Sequence, residues 1–482
     1  MIKIRKNRKM RPAGAVARRL ACAAAGILSV LSAQAGGQPV RFERFVMPSG
    51  LRVIVHPDDR APVVSVVLAY GSGLNDEPSN LEGINRAVAG MLSQAAPHLV
   101  PGQRDALSAT YGGRGSVEVG YDATVFCDNF SSNMLKGAIW LASERAYGFR
   151  EDTAAFALVR NDCLREDSVR ARRMQDLEED ALYEMVRTVN LRLVPQVAAL
   201  DSGVSLGAAR AYRDLYFNPA NAVLAVSGDV HPDTVRRYVV EMFSLLPPDT
   251  ARAELNARRF SVADAVADTV VIASGKAVDV GSGILATVEQ KRHFDTLAVP
   301  QGPRSVVFAW QVLPYSDHQA DVFDFIGTVL ASPAGSRLYR TLVEDRELAY
   351  GVDFRILPME RASVFAVRAD LRPDARIREV EDVLREQIER LKNFEIAPAE
   401  LSKALNTARM TAWESVSSNE GMARTLALNE LLFGDASEFA IRMERLSGIT
   451  AEDVRTVARR FLRSDNMKTI YRIPASEGGA DR

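Results

Sequence analysis

Five histidines, two cysteines in the body of the chain and many carboxylates are the groups here with the means to hold a metal or move a proton. The histidines are His56, His98, His231, His293 and His318, and no two are spaced to share a helical face or a tight loop, so no pair of imidazoles converges on one ion. There is no H-E-x-x-H, no G-x-S-x-G and no Cys close in sequence to a His, which leaves the usual hydrolase signatures silent. Cys127 falls in an expected strand and Cys163 in an expected helix; a disulfide between them and two unpaired buried thiols are both open. The glycine-rich run YGGRGSVEVG, residues 111 to 120, lacks the Lys-Ser/Thr ending of a phosphate loop and reads as a turn. The residues alone therefore name no catalytic group, no metal ligand and no cofactor.

The elements around residue 90 are better defined. Residues 41 to 46 and 51 to 56 read as strands joined by the turn Pro48-Ser49-Gly50, and the apolar run 61 to 70 reads as a third strand ended by Gly71-Ser72-Gly73. From residue 81 to 94, Ile84, Ala87, Val88, Met91 and Leu92 recur at the spacing of a helix with one buried stripe. The whole segment MPSGLRVIVHPDDRAPVVSVVLAYGSGLNDEPSNLEGINRAVAGML resembles the opening of the pitrilysin/insulinase family of zinc peptidases, the inverzincins, whose helix carries H-x-x-E-H. By that resemblance the two histidine positions are Arg86 and Gly90, and the position of the general-base glutamate is Ala89. None keeps its chemistry: glycine has no side chain, alanine no lone pair, and arginine brings a permanent positive charge that repels a cation. The stretch VRNDCLREDSVRARR resembles the segment bearing the family's third ligand and places Glu166 at that position, a leftover that cannot fix zinc without nitrogen or sulfur partners. Glu166 is then either one of many solvated charges on its helix or the partner of Arg86 in an ion pair where the metal would sit.

With 482 residues, 47% hydrophobic and 25% charged, the chain is long enough for more than one core. Its first 35 residues combine a basic stretch, an apolar run from Leu20 to Leu31 and Ala33-Gln34-Ala35 as a small-residue cleavage site, the order of a secretory signal peptide. No stretch is apolar enough to span a bilayer, so the expected location is periplasmic or secreted. Removal of the eight lysines and arginines of that leader takes the formal charge from −1 to −9, which disfavours nucleic acid as a partner.

The two halves end alike. SLGAARAYRDLYFNPANAVLAVSGDV reads as a helix from 207 to 215, a turn and a strand from 222 to 227; TAEDVRTVARRFLRSDNMKTIYRIP reads as a helix from 451 to 461, a turn and a strand from 467 to 472. An internal duplication explains both. The second half also opens with a strand, 305 to 312, and a helix, 317 to 330, and its SRLYRTLVEDRELAYGV is similar to the second-domain signature of the same family. The resemblance implies an α+β chain of two homologous α/β domains, each a mostly antiparallel sheet with packed helices: leader 1–35, N-terminal domain 36–249, linker and insertion 250–290, C-terminal domain 291–482. The charged helices 152 to 188 and 375 to 392 read as solvated faces over apolar stripes.

Paired enzymes of this family join a zinc-bearing subunit to a partner without the motif and enclose the peptide between them. The resemblance implies that this chain is such a partner: an exported, non-catalytic subunit that binds peptides beside a zinc-bearing homologue. A scaffold or peptide-binding protein that works without a protease is the alternative. The family also uses an arginine and a tyrosine from the segment after the LAY motif. Here Arg368 is the candidate for a substrate carbonyl, with an ordinary surface role as the alternative, and no tyrosine occurs between Tyr350 and Tyr471.

Overall fold

The structure is a computed structural model that describes residues 31–33, 40–187, 204–247 and 294–474, apart from residues 79, 100–101, 171–172, 300–301 and 334. The expected linker at 250–290, and the expected leader apart from Leu31–Ala33, lie outside the described residues.

The first half contains strands β1 (Leu31–Ala33), β2 (Val40–Val46), β3 (Arg52–Pro57), β4 (Val63–Tyr70), β5 (Arg114–Val119), β6 (Thr124–Ser131) and β7 (Ala222–Gly228). Its helices are α1 (Ile84–Gln94), α2 (Gln103–Tyr111), α3 (Leu135–Ala146), α4 (Thr153–Arg170), α5 (Met174–Glu184), α6 (Leu206–Tyr216) and α7 (Pro232–Phe243). The second half contains β8 (Phe294–Val299), β9 (Ser305–Val312), β10 (Ala349–Leu357), β11 (Ser363–Leu371) and β12 (Met467–Pro474), with helices α8 (Val322–Ala331), α9 (Ile377–Asn393), α10 (Pro398–Ser415), α11 (Asn419–Leu432), α12 (Glu438–Gly448) and α13 (Ala451–Phe461). A π-helical segment, Tyr339–Asp345, leads into β10.

The strand orders are β1-β2-β3-β7-β4-β6-β5 and β10-β11-β9-β12-β8. Written in the same direction, β3-β7-β4-β6-β5 matches β8-β12-β9-β11-β10, and each sheet has one parallel pair at the corresponding place, β3 with β7 and β8 with β12. All other pairs are antiparallel. The expected α+β class and the repeat are thus seen strand by strand. The run YGGRGSVEVG departs from its reading as a turn: the chain turns at Gly112, with φ +67°, residues 114 to 119 pair with β6 as a strand, and Gly120 opens the reverse turn into β6. Gly113 serves close packing there, since a Cβ on it would lie 2.0 Å from the Phe130 ring.

Both sheets are covered on both faces, which explains why their central strands are continuous apolar runs. Along β4, Val64, Val66, Leu68 and Tyr70 point into a core with α1, α3, α6 and α7, whereas Val67 and Ala69 point to the other face. That other face, with Ile54, Val223 and Ala225, packs against Met422, Ala423, Leu426 and Ala427 of α11, a helix from the second half. The reverse also holds. Val307 and Ala309 of β9, with Val364, Ala366 and Ile470, pack against Leu182, Met185 and Val186 at the end of α5 and just beyond it, from the first half. Each half therefore lends the other a helical segment.

Each lent helix carries one buried carboxylate held by arginines of the sheet it covers. Glu178 on α5 accepts from Arg472 of β12 at 2.6 Å, with Arg368 of β11 at 3.5 Å. Glu430 on α11 pairs with Arg44 of β2 at 2.5 Å, while Arg52 of β3 donates to the Glu430 backbone carbonyl at 2.8 Å. Two acids and four arginines cross the boundary in matching fashion.

Candidate functional site

Helix α1 begins where Glu77 turns back on it. The carboxylate accepts the backbone N–H of Gly83 and that of Asn85, both at 2.9 Å, and so satisfies two of the donors a helix start leaves open. Beneath the first turn, the Asn85 amide donates to Ser72 Oγ at 2.9 Å and its oxygen accepts from Thr124 Oγ1 at 2.7 Å, a buried network that fixes the helix to the ends of β4 and β6. Burial pushes the Glu77 carboxyl up to about 7 against these two backbone donors.

The motif face of α1 looks at α4. Arg86 donates from Nη1 to Asp167 Oδ1 at 2.5 Å, and Glu166 itself is exposed, so of its two readings Glu166 takes that of a solvated charge and the next residue pairs with Arg86. Residues one apart on a helix differ by about 100° in direction, and the crossing of α1 over α4 turns Asp167, not Glu166, toward the guanidinium. Ala89 is buried in the apolar core. Gly90 packs directly under Val159 of α4: a Cβ there would lie 2.6 Å from Val159 Cγ1. No side chain fits at residue 90 as the helices stand, least of all an imidazole. Arg86, Ala89 and Gly90, which the resemblance sets at the family's zinc positions, offer no ligand for a metal, and among the described residues no group of His, Cys, Asp and Glu is placed to hold one.

Beside α1 lies a cleft of about 360 Å³ lined by charged groups of α1, α4 and α5 and the turns next to them, including Glu77, Glu82, Arg86, Asp167, Asp180 and Arg187. Its charges are satisfied from within: Arg170 pairs with Asp180 at 2.9 Å, and Arg187 with Glu184 at 2.8 Å and Glu82 at 3.3 Å. Tyr183, also on its wall, donates to Asn75 at 2.9 Å; Asn75 donates to Asp122, which accepts the backbone N–H of Glu360 in the second half. The cleft is thus a meshed set of ion pairs joined to the other half.

Other expected residues fall elsewhere. His56 hydrogen-bonds Ser227 at 3.0 Å, His98 meets Glu144 at 2.9 Å, and His293 lies outside the described residues. Cys127 and Cys163 are free thiols, the former packed on the face of the first sheet toward α11 and the latter against the core on the opposite face. Arg368 is largely buried among Glu178 at 3.5 Å, Asp353 at 3.6 Å and Asp370 at 3.5 Å. Sequence reasoning did not find Val159, Asp167, Glu178 or Glu430; a lone acid inside an otherwise apolar helical stripe, as at Glu430, is the one signal that marks any of them.

β5 is the outer strand of its sheet, mostly exposed, and lies against α1 and α2. Among the described residues no strand pairs with its outer side, which leaves backbone donors and acceptors open there beside α1.

Residues 203–408 match the family model described as the peptidase M16 inactive domain. The chain is 20% identical over 446 residues to the zinc protease PqqE of Helicobacter pylori, covering 90% of this chain and 93% of that protein. It is 21% identical over 253 residues to an uncharacterized zinc protease of Streptomyces coelicolor; that match covers 52% of this chain and 50% of the relative, about half its length. Among solved structures, a protease from Helicobacter pylori is similar with a TM-score of 0.72 at 17% identity, over 90% of this chain and 99% of that one. The periplasmic protease PqqL from Escherichia coli matches with a TM-score of 0.64 at 16% identity, over 94% of this chain and 47% of that one. At these identities the structural matches speak for the fold.

Proposed function

The chain belongs to the pitrilysin/insulinase (M16) family of peptidases as a member without the zinc motif, and on that premise we propose that it is the exported, non-catalytic subunit of a heteromeric zinc peptidase. The observation that carries this reading is the contact between Gly90 and Val159, which leaves no space for a ligand at the heart of the former motif. A chain of this fold without a metal contributes to proteolysis by enclosing and binding peptide for a zinc-bearing homologue. The exposed edge of β5, beside α1, supports peptide binding, because an extended peptide can add to such an edge through main-chain hydrogen bonds. A substrate carbonyl has to displace a carboxylate to reach Arg368, so Arg368 binds peptide only where that network opens.

Export rests on the basic, apolar and small-residue order of residues 1–35 and on the periplasmic description of PqqL. Among the described residues no helix is long and apolar enough to cross a membrane.

The test is zinc content and peptidase activity of the purified chain, alone and co-expressed with a homologue that retains H-x-x-E-H. Neither zinc nor activity alone, with cleavage in a stable complex, is the expected result. Stoichiometric zinc in the isolated chain would overturn it, and peptide binding with no partner retained would favour a scaffold protein that works without a protease.

A further inference from the structure

Between α1 and α4, where the family pattern brings imidazoles and a carboxylate together, this chain has a metal-free fastener in two parts. One is the ion pair of Arg86 with Asp167 at 2.5 Å, which neutralises the guanidinium and ties the two helices. The other is Val159, only 1% exposed, whose two methyl carbons would lie 2.6 and 3.4 Å from a Cβ on residue 90. A β-branched side chain within a helix has essentially one rotamer, so Val159 cannot swing aside without moving α4. Phe156, one turn earlier on α4, is buried in the same core.

The geometry points to Val159 as a plug: the barrier to zinc lies on α4 as well as on the motif helix, and restoring the three motif residues without removing the plug does not rebuild a metal site. The loss of metal is built into the packing of two helices. This inference rests on the proposed function only in taking the natural chain as zinc-free, and the zinc content of that chain, measured in the same series, separates the two.

The experiment uses the full chain in four forms: the natural sequence, Val159→Ala, the triple variant Arg86→His/Ala89→Glu/Gly90→His, and the triple variant combined with Val159→Ala. Each is exposed to zinc chloride, desalted and assayed for bound zinc by mass spectrometry, with circular dichroism for folding and melting temperature before and after chelation. The triple variant is expected to retain background zinc and to melt lower than the natural chain. With Val159→Ala added, about one zinc per chain is expected, together with a melting temperature that falls on chelation. Near-stoichiometric zinc in the triple variant would overturn the inference, as would a folded quadruple variant that retains none. Should the triple variant fail to fold, Gly90→Ala gives a milder reading of the same contact. It is expected to lower the melting temperature in the natural chain and not in the Val159→Ala background; equal effects in both would refute the plug.

Discussion

Replacing Arg472 by methionine keeps most of the side-chain volume and removes the charge that faces Glu178 across the boundary between the halves. Arg472 and Glu178 are 1% and 3% exposed and 2.6 Å apart, so the carboxylate left behind has little water to turn to. Its remaining cation is Arg368, at 3.5 Å. Breaking a buried pair by removing one partner costs about 3–5 kcal/mol, and the presence of Arg368 places this case at the lower end, about 3 kcal/mol. In a unit of roughly 200 residues each kcal/mol moves the melting temperature by about 2–4 °C, so the variant should melt about 6–12 °C lower. The same reasoning gives the opposite result for Glu178→Met combined with Arg472→Met, because exchanging a whole buried pair for apolar groups of similar volume is close to neutral. Urea unfolding followed by circular dichroism, with calorimetry on the same samples, measures both. A single variant within about 1 kcal/mol of the natural chain, or a double variant as unstable as the single one, would refute the reasoning.

Glu77 gives a pH signature. Its folded value of about 7 stands above the ordinary 4.5, so the stability linked to its proton is complete below pH 4.5 and is lost as the pH rises to about 7, a few kcal/mol at about 1.4 kcal/mol per unit. Urea midpoints of the natural chain should therefore decline relative to Glu77→Gln across that interval, and parallel curves would count against it. A fragment of residues 36–249 lacks α11 and leaves Ile54, Val67, Ala69, Val223 and Ala225 without cover; it is expected to bind hydrophobic dye or aggregate, whereas a monomer with a cooperative melt would contradict the exchange of helices.

Local elements were legible wherever one face is polar. The stripe of α1 and the helix from 451 to 461 show a helical period, and the latter is found at the expected residues. The apolar run of β4 is readable as a strand, but its letters cannot say that its odd and even residues meet helices from different halves, because both faces are apolar. The repeat was visible at the ends of the halves, where a helix, a turn and a strand recur, while the matching strand order emerges only from pairing. At the site, single letters carry the expectation of lost chemistry, since glycine and alanine have no donor atoms whatever their surroundings. What stands there instead was not legible. Val159 meets Gly90 only through the crossing of two helices, and the same crossing decides between Glu166 and Asp167 as partner of Arg86. The open question of a disulfide was settled by a fact that sequence lacks: the two thiols lie toward opposite faces of one sheet.

The loan of α11 to the first sheet also sets a waiting time. β7 ends at Gly228 and the covering helix begins at Asn419. At roughly 5–20 residues per second, a ribosome needs about 10–40 s to make the stretch between them. Throughout that interval the face bearing Val67, Ala69, Val223 and Ala225 has no covering helix, although every strand of its sheet has already been made. A nascent chain in this state can pair with a neighbouring copy at the same stage as readily as with its own unfinished half. A binding factor that shields the growing polypeptide, or passage across a membrane before any sheet forms, removes that hazard; slow synthesis lengthens it.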